Sequence, residues 1–474
     1  MKKKMNAIIT LLMPLCLISS GFINMILFYF GLHAFDDIRR LASIVILCVF
    51  WGISLLKLLF LYLDYTSERK KILLLCCIPA LWIVVFIGAI LQFGIQDKII
   101  ITLRNFGIYC IPAFIFAISI AIERTEQAFI KGFKWYAVII APLMIFYVVR
   151  IIITPEFVYE YSNLGALCYL NIGYVLAPII LFYILGLFLY RNNNLLDIGI
   201  IILLWIALIF TGAKGPLLYL LMFILLFVIY LLVKKRKEKS VFGLLTAMVC
   251  ILLFFFFVYS PPSAGVHRIT NFNQNLKHKI VQFVATMDEE REQISTVIKE
   301  DSPATSIKEN MAKAQEVPTS ATSNNILTNE PEIIKEQPPA LLYHNGWERM
   351  YLWKLAIAEG NNNPFTGLGP MGYTLKYEFY PHNIILELIA DFGYLITTLF
   401  IIIVLVLISF LYRKSKNDRI IACMFLYIIS CIPGVMLSGT VYNSTALLFA
   451  LGYACALPTN NKTMLIKKSA WKVK

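Results

Sequence analysis

Long apolar stretches, separated by short polar or charged segments, make up most of this 474-residue chain. A helix needs about 20 apolar residues to cross a bilayer core of about 30 Å. About twelve stretches approach that length, at residues 7–30, 41–63, 72–93, 99–122, 134–154, 166–189, 197–213, 216–233, 241–259, 384–411, 420–438 and 440–457. The pattern predicts an all-α, polytopic membrane protein with about twelve transmembrane helices.

One long polar segment interrupts this series. We expect residues 1–259 to form a bundle of about nine spans, 260–383 a long extracytoplasmic loop, and 384–474 the last three spans and a cytoplasmic tail. Within the loop, apolar residues at helical spacing predict an amphipathic helix over 266–299. Residues 300–340 are rich in Ser, Thr, Asn, Pro, Glu and Lys and predict disorder.

Composition agrees with a membrane protein. Apolar residues make up 59% of the chain and charged residues 15%, whereas soluble domains have about 45–50% and about 25%. The net charge of +14 is therefore assigned to Lys and Arg that flank the spans and face anionic lipid, and no nucleic acid is expected as a partner.

The distribution of Lys and Arg predicts the orientation. With the N-terminus inside, the cytoplasmic segments contain the basic runs Lys2–Lys4, Arg69–Lys71, Lys234–Lys239, Arg413–Arg419 and Lys462–Lys474. The short outside loops contain only Arg39, Arg40, Lys98, Arg150 and Lys214. By the positive-inside rule, both termini are cytoplasmic and the long loop is outside.

Lys214 is the first candidate for chemistry, because a charge between two apolar stretches is costly. It lies in Thr211–Pro216, where Gly212, Gly215 and Pro216 predict a broken helix. A cation beside the free N–H groups of a helix start makes an anion site. The alternative is a loop lysine whose amine reaches the lipid headgroups.

Arg349 and His382 are the other candidates. The planar guanidinium of Arg349 suits phosphate oxygens, although a surface pair with Glu348 or a neighbour is the more common role of an arginine in a loop. His382 precedes the tenth stretch and can accept a proton near neutral pH. Glu387, one turn deeper, is expected to orient the imidazole or to share its polar cavity. The alternative is a histidine that only caps the helix.

The remaining sequence motifs give weaker evidence about function. Residues 367–372 match G-x-G-x-x-G, but no strand precedes them, so we predict a tight turn that leads to His382. The sequence has no Walker motif, no metal-binding HExxH and no Gly-x-Ser-x-Gly elbow, so no metal or other cofactor is expected.

Three segments together resemble the bacterial O-antigen ligase and O-antigen polymerase family. They are Thr211–Leu218, then Arg349-x-x-x-Trp353-x-x-Ala356 with the following 363–369, and His382-Asn383-x-x-Leu386-Glu387 with Phe392-Gly393. Their order and spacing match, as does a long outside loop before the tenth of about twelve spans. The resemblance departs at Lys214, where the family usually has arginine, and in the insertion at 300–340.

The resemblance implies a glycan transferase in the bacterial cytoplasmic (inner) membrane. Its donor would be a polyprenyl-diphosphate-linked oligosaccharide, and its acceptor a second glycan or lipid A-core. His382 would be the catalytic base, with Asn383 and Glu387 supporting it. Arg349 and Lys214, with Arg268 as a weaker candidate, would bind the diphosphate. Cleavage of the lipid diphosphate supplies the energy, so neither ATP nor a nucleotide sugar is required.

Three alternatives stay open. A polymerase extends another lipid-linked repeat, whereas a ligase transfers glycan to lipid A-core; Gly215-Pro216 after Lys214 favours the polymerase. A flippase for the same lipid would also suit twelve spans, but it needs charges along a cavity, and these spans are nearly uncharged. In a structural or signalling protein, Lys214, Arg349 and His382 would be scattered rather than gathered around one cavity.

Overall fold

The structure, a computed structural model, describes residues 12–18, 21–22, 25, 36–153, 169–190, 194–234, 239–257 and 347–458. Every regular element in these ranges is helical. The chain divides into two compact units, residues 1–269 with 349–474, and residues 270–348. Nearly all of the described residues lie in the first unit.

The helices follow the apolar stretches closely. Before the long polar segment they are α1 (Asp36–Asp64), α2 (Arg69–Phe93), α3 (Asp97–Glu123), α4 (Glu126–Ile153), α5 (Tyr169–Tyr190), α6 (Leu195–Thr211), α7 (Lys214–Val233) and α8 (Lys239–Phe257). After it come α9 (Trp347–Asn362), α10 (Gly372–Tyr377), α11 (Ile384–Ser415), α12 (Arg419–Ser438) and α13 (Thr445–Ala456). Each predicted span from 41–63 onward coincides with one helix.

Seven helices in the described residues are long and apolar enough to cross a bilayer, namely α2, α3, α4, α5, α7, α11 and α12. Helices α6, α8 and α13 are apolar but shorter. The all-helical membrane class is therefore confirmed, and the count of about twelve stays a prediction. The first span is described only at a few positions. Residues 258–346, with Arg268, the helix at 266–299 and the segment 300–340, lie outside the described residues.

The core is centred on α3, whose second half, Ile111–Ile122, is buried on every side. Helix α13 packs closely against it at Gly452, where an added Cβ would lie 2.8 Å from the carbonyl oxygen of Phe114. By contrast, α11 exposes a row of large apolar side chains that includes Leu395, Leu399 and Ile403. Such a face is typical of a helix in contact with lipid.

Ion pairs join the helices at one end of the unit, called the Asp418 end after one of the paired residues. Lys57 of α1 lies 2.7 Å from Glu123 at the end of α3. Arg124, in the turn between α3 and α4, lies 2.9 Å from Asp418 in the turn between α11 and α12. The charge of Lys57 is thus paired at a helix end and does not stand alone within its apolar stretch. His382 lies at the other end of α11 and α12.

Candidate functional site

Helix α11 begins directly after His382. The side chain of Asn383 accepts hydrogen bonds from the backbone N–H groups of Ile385, at 3.0 Å, and Leu386, at 3.2 Å. This is the usual cap of a helix N-terminus, which leaves N–H groups without intrahelical partners. Asn383 is therefore the capping residue, and the imidazole of His382 is left for another role.

The backbone of His382 is left-handed, with a φ of 56°. Its imidazole packs against Tyr380, with 4.1 Å between ring centroids. Burial, and secondly the positive charge of Arg349, lower the pKa of His382 from its ordinary 6.5 to about 4. At neutral pH the imidazole is therefore uncharged and able to accept a proton.

Arg349 lies in the first turn of α9, and its side chain reaches the end of α12. Its Nη1 donates a hydrogen bond to the backbone carbonyl of Leu437 at 3.0 Å. The guanidinium is exposed and close enough to His382 to lower the pKa of the imidazole. The structure thus brings Arg349 and His382 together, although 32 intervening residues separate them in the sequence.

The helix is broken next to Lys214, as the glycines and proline predict. Helix α6 ends at Thr211, Gly212 is left-handed with a φ of 64°, and α7 begins at Lys214. Gly173 of α5 lets this junction pack closely, since an added Cβ there would lie 2.8 Å from side-chain atoms of Ala213 and Pro216.

The next residue of α5 connects the junction to the histidine. Tyr174 lies close enough to Tyr380 to raise the pKa of its phenol, and Tyr380 packs on His382. The start of α7, with the backbone of Lys214, therefore lies at the same end of the unit as Arg349 and His382. The fourth residue predicted from the sequence, Arg268, lies outside the described residues.

Glu387 does not orient His382 by a hydrogen bond. Its carboxylate accepts from the hydroxyl of Thr440, at 2.8 Å, and from the backbone N–H of Val441, at 2.6 Å. The expectation that Glu387 orients the imidazole is corrected, because the turn after α12 uses the carboxylate instead. Glu387 thereby holds the segment that follows Leu437, the partner of Arg349.

Asp391 is a second buried carboxylate, one turn beyond Glu387, and the sequence analysis missed it. It accepts from the backbone N–H of Tyr373, at 2.8 Å, and from the hydroxyl of Tyr442, at 2.6 Å. The hydroxyl of Tyr442 in turn accepts from the backbone N–H of Met371 at 2.7 Å. A carboxylate four residues after Glu387 in an apolar stretch was the available signal, because such a charge is costly in lipid.

The G-x-G-x-x-G segment is a tight turn, as predicted, and it docks on a break in α11. Gly393 has a φ of 76° and interrupts the helix. The backbone N–H groups of Leu368 and Gly369 donate to the carbonyls of Ala390, at 2.8 Å, and Asp391, at 2.9 Å. The turn thus satisfies carbonyls that the break leaves without helical partners, and it fixes the chain that leads to His382.

An apolar cavity of about 150 Å³ lies between α11, α12 and α13. At one end its lining includes Ile384 and Ile385, just after His382, and Val435 and Met436, just before Leu437. The lining continues along the three helices through Phe400, Val404, Leu407, Ile408, Leu411, Ile428, Cys431, Ile432, Ala446, Leu447, Ala450, Leu451 and Ala454. The polar pair Arg349 and His382 therefore lies beside one end of an apolar space.

Comparison with known proteins identifies a family for part of the chain. Residues 199–401 match the family model described as O-antigen ligase. No curated protein and no solved structure matches the chain. The matched range includes Lys214, Arg349 and His382, and it supports an O-antigen ligase-type glycan enzyme of the bacterial inner membrane. Residues 199–401 are therefore an O-antigen ligase domain, and the family predicted from the three sequence segments, O-antigen ligase and polymerase, is confirmed.

Proposed function

We propose that this protein transfers glycan repeat units from a polyprenyl-diphosphate lipid donor to a glycan acceptor, on the outer face of the cytoplasmic membrane. One observation carries the proposal. An arginine and an uncharged, partly buried histidine lie together at the end of an apolar cavity, within residues that match the O-antigen ligase family. The pair supplies a cation for the leaving group and a base for the acceptor.

The donor's diphosphate would bind at Arg349. Bond cleavage at the anomeric carbon leaves negative charge on the diphosphate, and a fixed guanidinium stabilises that charge. The bond from Nη1 to Leu437 holds the guanidinium in place, and the other N–H groups can face an anion. Lys214, at the start of α7, would add a second positive charge, with Arg268 as a further candidate.

His382 would act as the base. The acceptor hydroxyl attacks the anomeric carbon, the new C–O bond forms, and the bond from that carbon to the diphosphate oxygen breaks. The hydroxyl proton passes to the imidazole, which is uncharged because its pKa is about 4. The lipid diphosphate leaves with the electron pair, and the proton later passes to water. The reaction consumes no nucleotide.

The apolar cavity supports a lipid-linked donor. A polyprenyl chain lies in the bilayer, and an apolar lining can replace its contacts with lipid tails without burying a polar group. The lining between α11, α12 and α13 is apolar throughout, and one end adjoins Arg349 and His382. A lipid with the first few carbons of its chain in this cavity would therefore present its diphosphate to the cation and its first sugar to the base.

The test is glycan transfer by purified protein in lipid vesicles, with a polyprenyl-diphosphate-linked repeat as donor. We expect His382→Ala to lower kcat by about 10²- to 10⁴-fold, the usual contribution of a general base. Arg349→Ala should lower it by about 10²- to 10³-fold, and Arg349→Lys by less, because the charge remains while the planar fork is lost.

Two matched variants serve as controls. His344→Ala removes the histidine of the other His-Asn pair in the sequence. Arg69→Ala removes an arginine that also donates to a backbone carbonyl, that of Tyr62, but at the Asp418 end. Both should transfer glycan at the wild-type rate. Wild-type activity in His382→Ala would exclude the proposed base, and with it this mechanism.

The product separates the other candidate functions. A polymerase lengthens glycan on the lipid donor, whereas a ligase transfers it to lipid A-core, which the description of the matched family favours. Supplying both acceptors in one reaction and separating the products distinguishes them. A flippase would move labelled donor across the vesicle membrane without forming a glycosidic bond, and that outcome would contradict the proposal.

A further inference from the structure

No hydrogen bond from the described residues orients the imidazole through Nδ1. That atom is buried and has no hydrogen-bond partner in the described part of the chain. In many enzymes a carboxylate that accepts from one ring nitrogen orients a catalytic histidine. Here the nearby carboxylate, Glu387, is bonded to Thr440 and Val441. A contact other than a hydrogen bond to Nδ1 can fix the direction of the ring.

That contact is the ring of Tyr380. The centroids of Tyr380 and His382 are 4.1 Å apart, and the ring planes are inclined by 46°. The left-handed backbone of His382, with its φ of 56°, is part of the turn that brings the two rings together across Pro381. The indole Nε1 of Trp353 donates a hydrogen bond to the carbonyl of Pro381 at 2.8 Å, which ties the turn to α9.

We infer that Tyr380 is the positioning residue for His382, and that its aromatic face, not its hydroxyl, fixes and shields the imidazole. The inference rests on the proposed function and adds a residue to it. Aromatic pairs at this separation contribute about 0.5–1.5 kcal/mol beyond the area they bury. A flat ring on one side limits imidazole rotation, which presents the proton-accepting nitrogen in one direction.

The charged and titratable groups around this pair come from three helices. Arg349 of α9 acts on both rings, Tyr174 of α5 acts on Tyr380, and Glu387 of α11 also acts on Tyr380. Burial, followed by Glu387 and Tyr174, raises the pKa of Tyr380 above its ordinary 10. The phenol is therefore neutral at pH 7 and adds no charge beside the histidine.

The test uses three substitutions of Tyr380 in the full-length protein in lipid vesicles. Tyr380→Phe keeps the ring and removes the hydroxyl, Tyr380→Leu keeps bulk without a flat face, and Tyr380→Ala removes both. We expect Tyr380→Phe to stay within about twofold of wild type, and the other two to lose about 10- to 100-fold in kcat with little change in KM, as expected for a misdirected catalytic group. Phe379→Ala, at the adjacent and 41% exposed position, is the control and should match wild type.

A second readout does not require activity. Deuterium exchange at the C2 carbon of each histidine, followed by mass spectrometry, measures the pKa of His382 directly. We expect about 4 in wild type and in Tyr380→Phe. The pKa should move toward the ordinary 6.5 in Tyr380→Leu and Tyr380→Ala, because water reaches the imidazole and favours its charged form.

The outcomes separate this inference from the proposed function. Suppose that His382→Ala is inactive, but Tyr380→Leu keeps the wild-type kcat and an unchanged histidine pKa. That result would overturn the role of Tyr380 and leave the proposed function in place. Loss of activity in Tyr380→Phe would also overturn it, because the hydroxyl would then be the essential group. Full activity in His382→Ala would remove the proposed base, whatever the Tyr380 variants do.

Discussion

Burial and a neighbouring positive charge both act on His382, and in the same direction. Each disfavours the imidazolium, so the pKa falls from 6.5 to about 4. The low pKa weakens the histidine as a base, but it keeps the ring uncharged throughout the neutral range. Because Arg349 contributes to that shift, the group proposed to bind the diphosphate also keeps the proposed base unprotonated until substrate arrives.

The pH dependence of transfer follows from this pKa. The active form is the neutral imidazole, so kcat/KM should be constant from about pH 7 to about pH 5 and fall to half near pH 4. A solvent-exposed histidine would show the same fall near pH 6.5.

Arg349→Ala removes the smaller of the two causes of the low pKa. We therefore expect the acidic limb of the residual activity to move to higher pH but to remain below 6.5. Arg69→Ala, at the opposite end of the unit, should leave the limb in place. A wild-type limb centred near pH 6.5 would contradict the lowered pKa of His382.

At the scale of elements, the site depends on a break in α11 whose free carbonyl groups are hydrogen-bonded by a neighbouring turn. Gly393 breaks α11, and the turn at 364–369 supplies N–H groups to the carbonyls on one side of the break. In return, the backbone N–H of Tyr394 donates to the carbonyl of Pro364 at 2.8 Å. Turn and helix are therefore hydrogen-bonded to each other in both directions.

Gly367→Ala tests this element. Gly367 has a φ of 63°, and an added Cβ would lie 2.3 Å from the backbone carbonyl carbon of Asp391. We expect the substitution to lower the free energy of unfolding by more than about 1 kcal/mol, since both the backbone conformation and the contact are unfavourable. Thermal unfolding in detergent measures it.

Gly243→Ala is the matched control for Gly367→Ala. It lies within α8 and has open space around its Cβ position, so alanine should be neutral or slightly stabilising there. Equal unfolding temperatures for the two alanine variants would contradict the account of the turn.

At the scale of the whole molecule, different charged groups lie at the two ends of the helices. The Asp418 end holds the pairs Lys57–Glu123 and Arg124–Asp418. The other end holds Arg349 and His382, with Glu387 and Asp391 buried beneath them. The basic runs Arg69–Lys71 and Arg413–Arg419 also lie at the Asp418 end, so the positive-inside rule predicts that this end faces the cytoplasm and that the His382 end faces outside.

Cysteine labelling tests this orientation. A cysteine at Ser320, in the long polar segment, should react with a membrane-impermeant maleimide in intact spheroplasts. A cysteine at Ser469, near the C-terminus, should react only after the membrane is broken. The native cysteines are in apolar stretches and should contribute little background. Labelling of Ser469→Cys in intact cells would reverse the topology and place His382 on the cytoplasmic side.

The sequence by itself determined the class of the molecule, the bounds of most helices and the family. Apolar stretch length decides whether a helix can cross a bilayer, and this is a local property. The broken helix before Lys214 and the tight turn at 367–372 were also readable, because glycine and proline act on their own backbone.

The site itself was decided by tertiary structure. Its members come from α5, α9, α11, the turn before α11, the start of α7 and the turn after α12, and no local rule predicts which of them meet. Only the folded chain shows that Glu387 bonds to the turn after α12 and not to His382, that Asp391 and Tyr442 form a buried pair, and that Tyr380 packs on the imidazole. Hydrogen bonds and ring contacts between distant residues depend on helix packing, which local hydrophobic pattern does not specify.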